Sequence, residues 1–165
     1  MKFWDLSHHQ QQELRERALR RILRRLTRRN YKPLLPTISS HAGTTLEARS
    51  NACVLAEWIG DALMRPYIND LINRNLQHCS PSLRKAIEKI VCENVTFDHV
   101  AFCAREHDRC SFSKSGANLV EIFMGAWGRE AYHEDAEQWI SRTFLPVLNV
   151  VEEAAHIMFK EIFGA

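Results

Sequence analysis

The sequence predicts an all-helical fold. Apolar residues recur at helical spacing through most of the chain, and residues typical of helix starts precede several of these segments. No run of alternating apolar and polar residues is long enough for a convincing strand. A chain of 165 residues is large enough to bury a real hydrophobic core. The prediction is therefore one all-α domain with an extra basic helix at its N-terminal end.

The first predicted helix runs from about Ser7 to Asn30 and is strongly basic. Ser7 is a residue type that caps helix N-termini, and Pro33 and Pro36 end the helical pattern. Residues 1–32 hold ten Lys or Arg against three acidic residues, a balance of +7, whereas the remaining chain has a balance of −5. A basic segment on an acidic body is typical of a protein that binds a polyanion at one end.

The remaining helices follow from caps and apolar patterns. A long second helix is predicted over about Leu46–Leu76, unless Pro66 kinks it. Ser80 and Pro81 have the residue types of an N-cap and a first helical position, so they start a third helix. The chain is thus predicted to consist of a basic amphipathic N-terminal helix, residues 1–33, and a helical domain, residues 34–165. The third and later helices are Pro81–Cys92, Val95–Arg105, Gly116–Gly128 and Glu134–Phe163, with the loop at His107–Ser115.

The composition is that of a soluble globular protein, with 45% hydrophobic and 25% charged residues. No apolar run approaches the roughly 20 residues that span a bilayer, and the first residues lack the order of a secretory signal. The five cysteines are odd in number, which favours free thiols in a reducing intracellular compartment. Cytoplasm and an organelle such as the mitochondrion both remain open. No metal-ligand spacing stands out among His41, His78, His99, His107, His133 and His156.

Two nearly apolar helical stretches carry isolated polar groups on one face. Glu57 and Asp61 stand at i and i+4 in the first stretch, and Asn118 and Glu121 at i and i+3 in the second. Burying unpaired carboxylates is costly, and a divalent metal held between the two helices would offset that cost. The alternative is that these acids lie on the exposed face of an amphipathic helix.

Both stretches resemble the ribonuclease III catalytic domain. Glu57–Ala62 reads Glu-Trp-Ile-Gly-Asp-Ala, which is similar to the family's Glu-Phe-Leu-Gly-Asp-Ala. Lys114–Ala126 is similar to the family's Lys-x-x-Ala-Asp-x-x-Glu-Ala-x-x-Gly-Ala. Thr37–His41 and Ala136–Leu148 also resemble flanking segments of the family, so the resemblance spans about residues 34–150, in the expected order. No double-stranded-RNA-binding domain is expected after it.

The resemblance implies a Mg²⁺-dependent endonuclease, with Mn²⁺ as an alternative cofactor, that cuts double-stranded or structured RNA. Its metal ligands would be Glu57, Asp61 and Glu121, with Asn118 as a weakened fourth. Lys114 is either a residue that supports the catalytic site or a solvated loop lysine. The family works as a dimer, so a homodimer is expected, or a heterodimer with a ribonuclease III-like partner. The family's dimer contact matches Trp58, although a plain core position is equally compatible with the sequence.

Glycine and arginine add two further expectations. Gly60 and Gly125 each cost up to about 1 kcal/mol inside a helix, which is reasonable if the two metal-binding helices cross closely there. The basic helix would grip RNA phosphates, each contact adding to the salt dependence of binding. Its arginines could instead form only a solvated helix face or belong to an organelle-targeting sequence. The candidate RNA-binding residues are Arg20, Arg21, Arg24, Arg25, Arg28 and Arg29.

Three departures from the family pattern favour a second hypothesis. Asn118 replaces a metal-binding aspartate, Val54 stands where many members carry a glutamate, and no acid lies between Asp70 and Glu88. A catalytically silent relative would tolerate all three. Such a chain would serve as an RNA-binding or scaffold subunit of an RNA–protein complex, for example an organellar ribosome or an RNA-processing complex.

Overall fold

The computed structural model describes residues 6–34, 51–104, 116–128 and 133–164. Within these ranges the chain is helical and contains no strand, so the all-α prediction is confirmed. The described part excludes the predicted start of the second helix, the predicted polar loop at His107–Ser115, and the side chains of residues 51–53 and 116. The helices are α1 (His8–Arg25), α2 (Asn51–Asn75), α3 (Pro81–Val91), α4 (Asn94–Ala104), α5 (Gly116–Trp127) and α6 (His133–Phe163).

The predicted caps form in both places where the sequence indicated them. The Ser7 hydroxyl accepts a hydrogen bond from the Gln10 backbone N–H at 3.3 Å, and the Gln10 side chain accepts one from the Ser7 N–H at 2.9 Å. This reciprocal pair is a capping box. At α3 the Ser80 hydroxyl accepts from the Leu83 N–H at 3.2 Å, and Pro81 occupies the first helical position. Both starts depend on local contacts, which explains why the sequence predicts them.

Helix α1 ends five residues before its predicted end at Asn30. The Asn30 side chain accepts a hydrogen bond from the Thr27 N–H at 2.7 Å and donates one to the Arg25 carbonyl at 2.8 Å. These bonds satisfy backbone groups at the helix end and close a turn in place of another helical turn. The position of the end is therefore set by one asparagine rather than by Pro33.

Helix α1 packs against α6 and shares its hydrophobic core. Leu14, Ala18 and Ile22 are at most 1% exposed. The segment after α1 is also hydrogen-bonded to α6: the Tyr31 hydroxyl donates to the Thr143 carbonyl at 2.6 Å. The Trp139 indole N–H donates to the carbonyl of Leu34 at 2.7 Å. The basic helix is thus built into the folded core.

The two long helices organise the rest of the core. Helix α6 contacts α1, α2 and α3, and α2 packs mainly against α5. Both long helices continue through an internal proline, which is Pro66 in α2 and Pro146 in α6. In the part of the chain that the structure describes, no helix is both long and apolar enough to cross a membrane. The buried cysteines with described side chains, Cys79, Cys92 and Cys103, are free thiols.

Candidate metal centre

Helices α2 and α5 cross at two glycines. A Cβ atom placed on Gly60 would lie 1.8 Å from the carbonyl oxygen of Glu121, and one placed on Gly125 would lie 1.8 Å from the carbonyl oxygen of Ala56. Both distances are far inside van der Waals contact, so only glycine fits at either position. The close crossing expected from the two glycines is confirmed, and it brings the backbones of the two helices into direct contact.

The crossing places acidic side chains next to one another. Glu57 follows Ala56 on α2, and Asp61 follows Gly60, whose Cα faces the carbonyl of Glu121 on α5. The pKa of Glu121 is raised to about 7 by burial of its carboxyl and, beyond that, by repulsion from Asp61 and then Glu57. The structure therefore brings together these three predicted ligands. Asn118 lies on α5, one turn before Glu121, and is partly buried.

The three carboxylates are not drawn tightly together. Within the described residues, a single group of three His, Cys, Asp or Glu side chains has its ligand atoms all within 4.8 Å of one another, and it lies elsewhere in the fold. The oxygens of Glu57, Asp61 and Glu121 are thus more widely spaced than ligands closed around an ion. Mutual repulsion between like charges favours such spacing. Lys114, the last predicted site residue, lies outside the described part.

Arg65 and Glu88 also belong to this region, and sequence reasoning missed both. The Arg65 Nε donates to the Asp61 carboxylate at 3.0 Å. Burial lowers the pKa of Arg65, but attraction to Asp61 and Glu88 contributes to a net increase. Glu88 on α3 accepts a hydrogen bond from the Asn69 side chain at 3.1 Å. Arg65 stands four residues after Asp61, and this spacing could have indicated the ion pair from the sequence. The approach of Glu88 depends on packing between helices, so no sequence pattern indicates it.

The aromatic residue beside the acids is on the surface. The Trp58 side chain is 70% exposed, and Leu55, three residues earlier on α2, is 51% exposed. Trp58 therefore does not occupy the core position that the sequence also allowed. Two large apolar side chains one turn apart give α2 an exposed apolar patch next to Glu57.

The arginines of the basic helix divide into two groups. Arg21 and Arg25 both form ion pairs with Glu153 of α6, at 2.8 and 2.7 Å. Arg28 donates to the Phe102 carbonyl at 2.8 Å, and its guanidinium lies 4.0 Å from the centre of the Phe102 ring. These three are engaged within the fold. The exposed candidates for an RNA contact are Arg20, Arg24 and Arg29.

The raised pKa of Glu121 predicts how stability varies with pH when the protein is metal-free. Between about 4.5, the ordinary value, and about 7, the folded state holds a proton that the unfolded state has released. Raising the pH through this window should therefore lower the free energy of unfolding. Urea unfolding in chelator at pH 5 and at pH 7.5 measures the loss, which should be smaller in Glu121→Gln. An equal loss in both proteins would show that this carboxyl has an ordinary pKa.

Comparisons of the chain with protein-family models, with curated proteins and with solved structures gave no match.

Proposed function

We propose that this chain is a ribonuclease III-like domain that cleaves double-stranded or structured RNA with the help of a divalent metal. One observation carries the proposal: the close crossing of α2 and α5 at Gly60 and Gly125 places a half-buried Glu121 near Asp61 and Glu57, and burial followed by their repulsion raises its pKa to about 7. A carboxylate cluster held on two rigid helices is what metal-assisted phosphodiester hydrolysis requires. The order and spacing of the two sequence motifs support the same proposal.

The side chains present fit a hard cation. Mg²⁺ takes oxygen ligands, and Mn²⁺ accepts the same set. Glu57, Asp61 and Glu121 would hold the ion, with the amide oxygen of Asn118 as a neutral fourth donor. After burial, repulsion from Asp61 and Glu57 raises the pKa of Glu121. A bound cation would relieve that repulsion, because it would neutralise the charges facing this carboxyl.

The side chains around the ion would have different roles in the reaction. A divalent cation at this position would stabilise negative charge on the phosphate and favour ionisation of the attacking water. Arg65 fixes one oxygen of Asp61 through its hydrogen bond, which leaves the other oxygen available as a ligand. Glu121, with a pKa of about 7, is able to hold or release a proton at neutral pH before the ion binds.

Surface features support the proposed partners. Trp58 and Leu55 expose apolar area beside the acids, as expected of a contact with a second subunit. A homodimer is the simplest assembly, and a heterodimer with a ribonuclease III-like chain would use the same patch. Exposed Arg20, Arg24 and Arg29 supply positive charge for RNA phosphates.

A specific observation favours a second candidate function, that of a catalytically silent RNA-binding or scaffold subunit. Arg65 already pairs with Asp61, so part of the negative charge that would attract a cation is neutralised within the chain. Asn118 adds no charge of its own. A site with fewer uncompensated carboxylates binds Mg²⁺ less tightly, and complete loss of catalysis would leave a helical RNA-binding module.

The deciding experiment incubates the purified chain with long double-stranded RNA in Mg²⁺, in Mn²⁺ and in chelator. We expect metal-dependent cutting to shorter duplexes. Glu121→Gln should slow cutting about 100-fold or more, because the centre contributes several kcal/mol of transition-state stabilisation and each 1.4 kcal/mol is a factor of ten in rate.

The matched control is Glu134→Gln, which removes one carboxylate from an exposed position in the first turn of α6. It should cut at the wild-type rate. RNA that is bound but remains intact in every metal condition would reject the nuclease and support the silent subunit. Cutting that persists in Glu121→Gln would move the catalytic site away from the α2–α5 crossing.

A further inference from the structure

A second cluster of ligand-type side chains lies where the turn after α2 meets α6. The Nε2 atoms of His78 and His156 are 3.1 and 3.5 Å from the same Glu152 carboxylate oxygen, Oε1. The three ligand atoms all lie within 4.8 Å of one another. The two imidazole rings are nearly parallel, with an interplanar angle of 6° and centroids 6.3 Å apart. This is the group with closely spaced ligand atoms noted above, and it shares no residue with the α2–α5 centre.

The spacing matches a transition-metal site. Tetrahedral zinc has metal–nitrogen and metal–oxygen distances of about 2.0–2.1 Å, which places neighbouring ligand atoms about 3.3 Å apart. The two distances to Glu152 Oε1, 3.1 and 3.5 Å, lie on either side of that value. Glu152 and His156 stand at i and i+4, so both project from one face of α6, and His78 approaches from the other element. Two imidazoles and one carboxylate are a ligand set that Zn²⁺ readily takes.

Ion pairing between two charged histidines and Glu152 accounts for the arrangement less well. To bond to the single oxygen of Glu152, each histidine would have to carry its proton on Nε2. If both rings were charged, two parallel imidazolium groups would face each other across 6.3 Å and repel. Neutral rings avoid that repulsion and need no acid pH, whether they donate Nε2–H to Glu152 or turn both Nε2 lone pairs to one cation.

We propose that His78, Glu152 and His156 form a binding site for a divalent transition-metal ion, with Zn²⁺ as the foremost candidate. Imidazole ligands select this class of metal over Mg²⁺ or Ca²⁺. The three side chains are 49%, 26% and 47% exposed, so the ion is reached directly from solvent. A surface depression of about 440 Å³ adjoins Glu152 and His156, which leaves the fourth coordination position to water or a small anion. The bound ion joins the turn after α2 to α6.

The test uses the full chain, stripped with chelator and titrated with Zn²⁺ in competition with a chromogenic chelator. We expect one equivalent to bind, and its affinity to fall at least tenfold in His78→Gln and in His156→Gln, because each removes a direct ligand. All three residues are partly exposed, so these variants should fold, and circular dichroism checks this. Co²⁺ alone gives an independent readout, since its absorption spectrum reports tetrahedral nitrogen and oxygen ligation in the wild type and should vanish in both variants.

Two controls separate this site from others. His9→Gln removes an exposed histidine of α1 and should leave zinc affinity unchanged. Asp61→Asn shows whether the measured zinc is held at the acidic centre rather than by the histidines. A wild-type chain that binds no zinc, or equal affinity in wild type, His78→Gln and His156→Gln, would overturn the proposal. Loss of affinity in Asp61→Asn instead would assign the zinc to the α2–α5 centre and overturn it as well.

Discussion

Exchange of Gly60 for alanine is expected to lower the free energy of unfolding by about 3 kcal/mol, at the upper end of the usual cost of overpacking. The added methyl group would lie 1.8 Å from the backbone oxygen of Glu121. A flexible side chain would be able to move aside, but a helix backbone cannot rotate out of the way. Helices α2 and α5 would have to separate along their main contact. Urea unfolding followed by circular dichroism measures the change, and Gly125→Ala should behave alike because it meets the Ala56 carbonyl at the same distance.

The matched control is the reverse exchange two residues further along α2. Ala62 is exposed, so Ala62→Gly tests helix propensity and should cost about 1 kcal/mol. By propensity alone Gly60→Ala would stabilise α2 by a similar amount. The expected order, with Gly60→Ala more damaging than Ala62→Gly, therefore reports the close crossing. A Gly60→Ala protein as stable as wild type would show that the helices are farther apart in solution.

What the sequence predicts well in this chain is local. The starts of α1 and α3 depend on Ser7, Ser80 and Pro81, each of which acts on its immediate neighbours. The end of α1 was predicted too late, because the pattern of apolar residues continues past Arg25 while the Asn30 side chain closes the turn. A periodic pattern shows where a helix is favourable, but a single side chain decides where it ends.

The clustering of the acids was predictable because two sequence features indicate it: the spacing of the acids along each helix, and the glycines where the helices cross. Spacing along each helix pairs Glu57 with Asp61, and two costly glycines indicate that the helices touch. No sequence feature indicates Glu88, because its approach to Arg65 is a result of helix packing. The histidines were dismissed for the same reason, since His78 meets Glu152 only through the fold.

The charge pattern of the basic helix shows another limit of sequence reasoning. Counting charges predicts a basic segment that binds a polyanion, yet counts contain no information about partners within the chain. In the folded chain Glu153 of α6 pairs with both Arg21 and Arg25, and Arg28 packs on Phe102. Half of the six candidate arginines therefore contribute to folding contacts. A role in RNA binding rests on the exposed members of the set.

Asp61→Asn is expected to reduce metal-dependent RNA cleavage about 100-fold or more, and Asp70→Asn to leave it within about twofold of wild type. The two aspartates are closely matched. Both lie on α2, both accept from an arginine four residues later, at 3.0 and 2.9 Å, and their side chains are 47% and 58% exposed. Each substitution thus removes one exposed i,i+4 ion pair, worth about 0.3–0.5 kcal/mol, although Arg74 keeps a second partner in Glu137.

The difference between these two variants isolates the acidic centre from general effects of charge. Of these two aspartates, only Asp61 is close enough to Glu121 to raise its pKa, so only Asp61→Asn removes a proposed ligand and a repulsive charge together. Metal-free Asp61→Asn should therefore show a lower pKa for Glu121 in a carboxyl titration followed by NMR, while Asp70→Asn should not. Equal loss of cleavage in both variants would indicate that the helix surface as a whole, rather than the cluster around Glu121, is what the reaction needs. A pKa of Glu121 that is unchanged in Asp61→Asn would show that Asp61 does not repel this carboxylate, and the case for a cation shared by the two would fail with it.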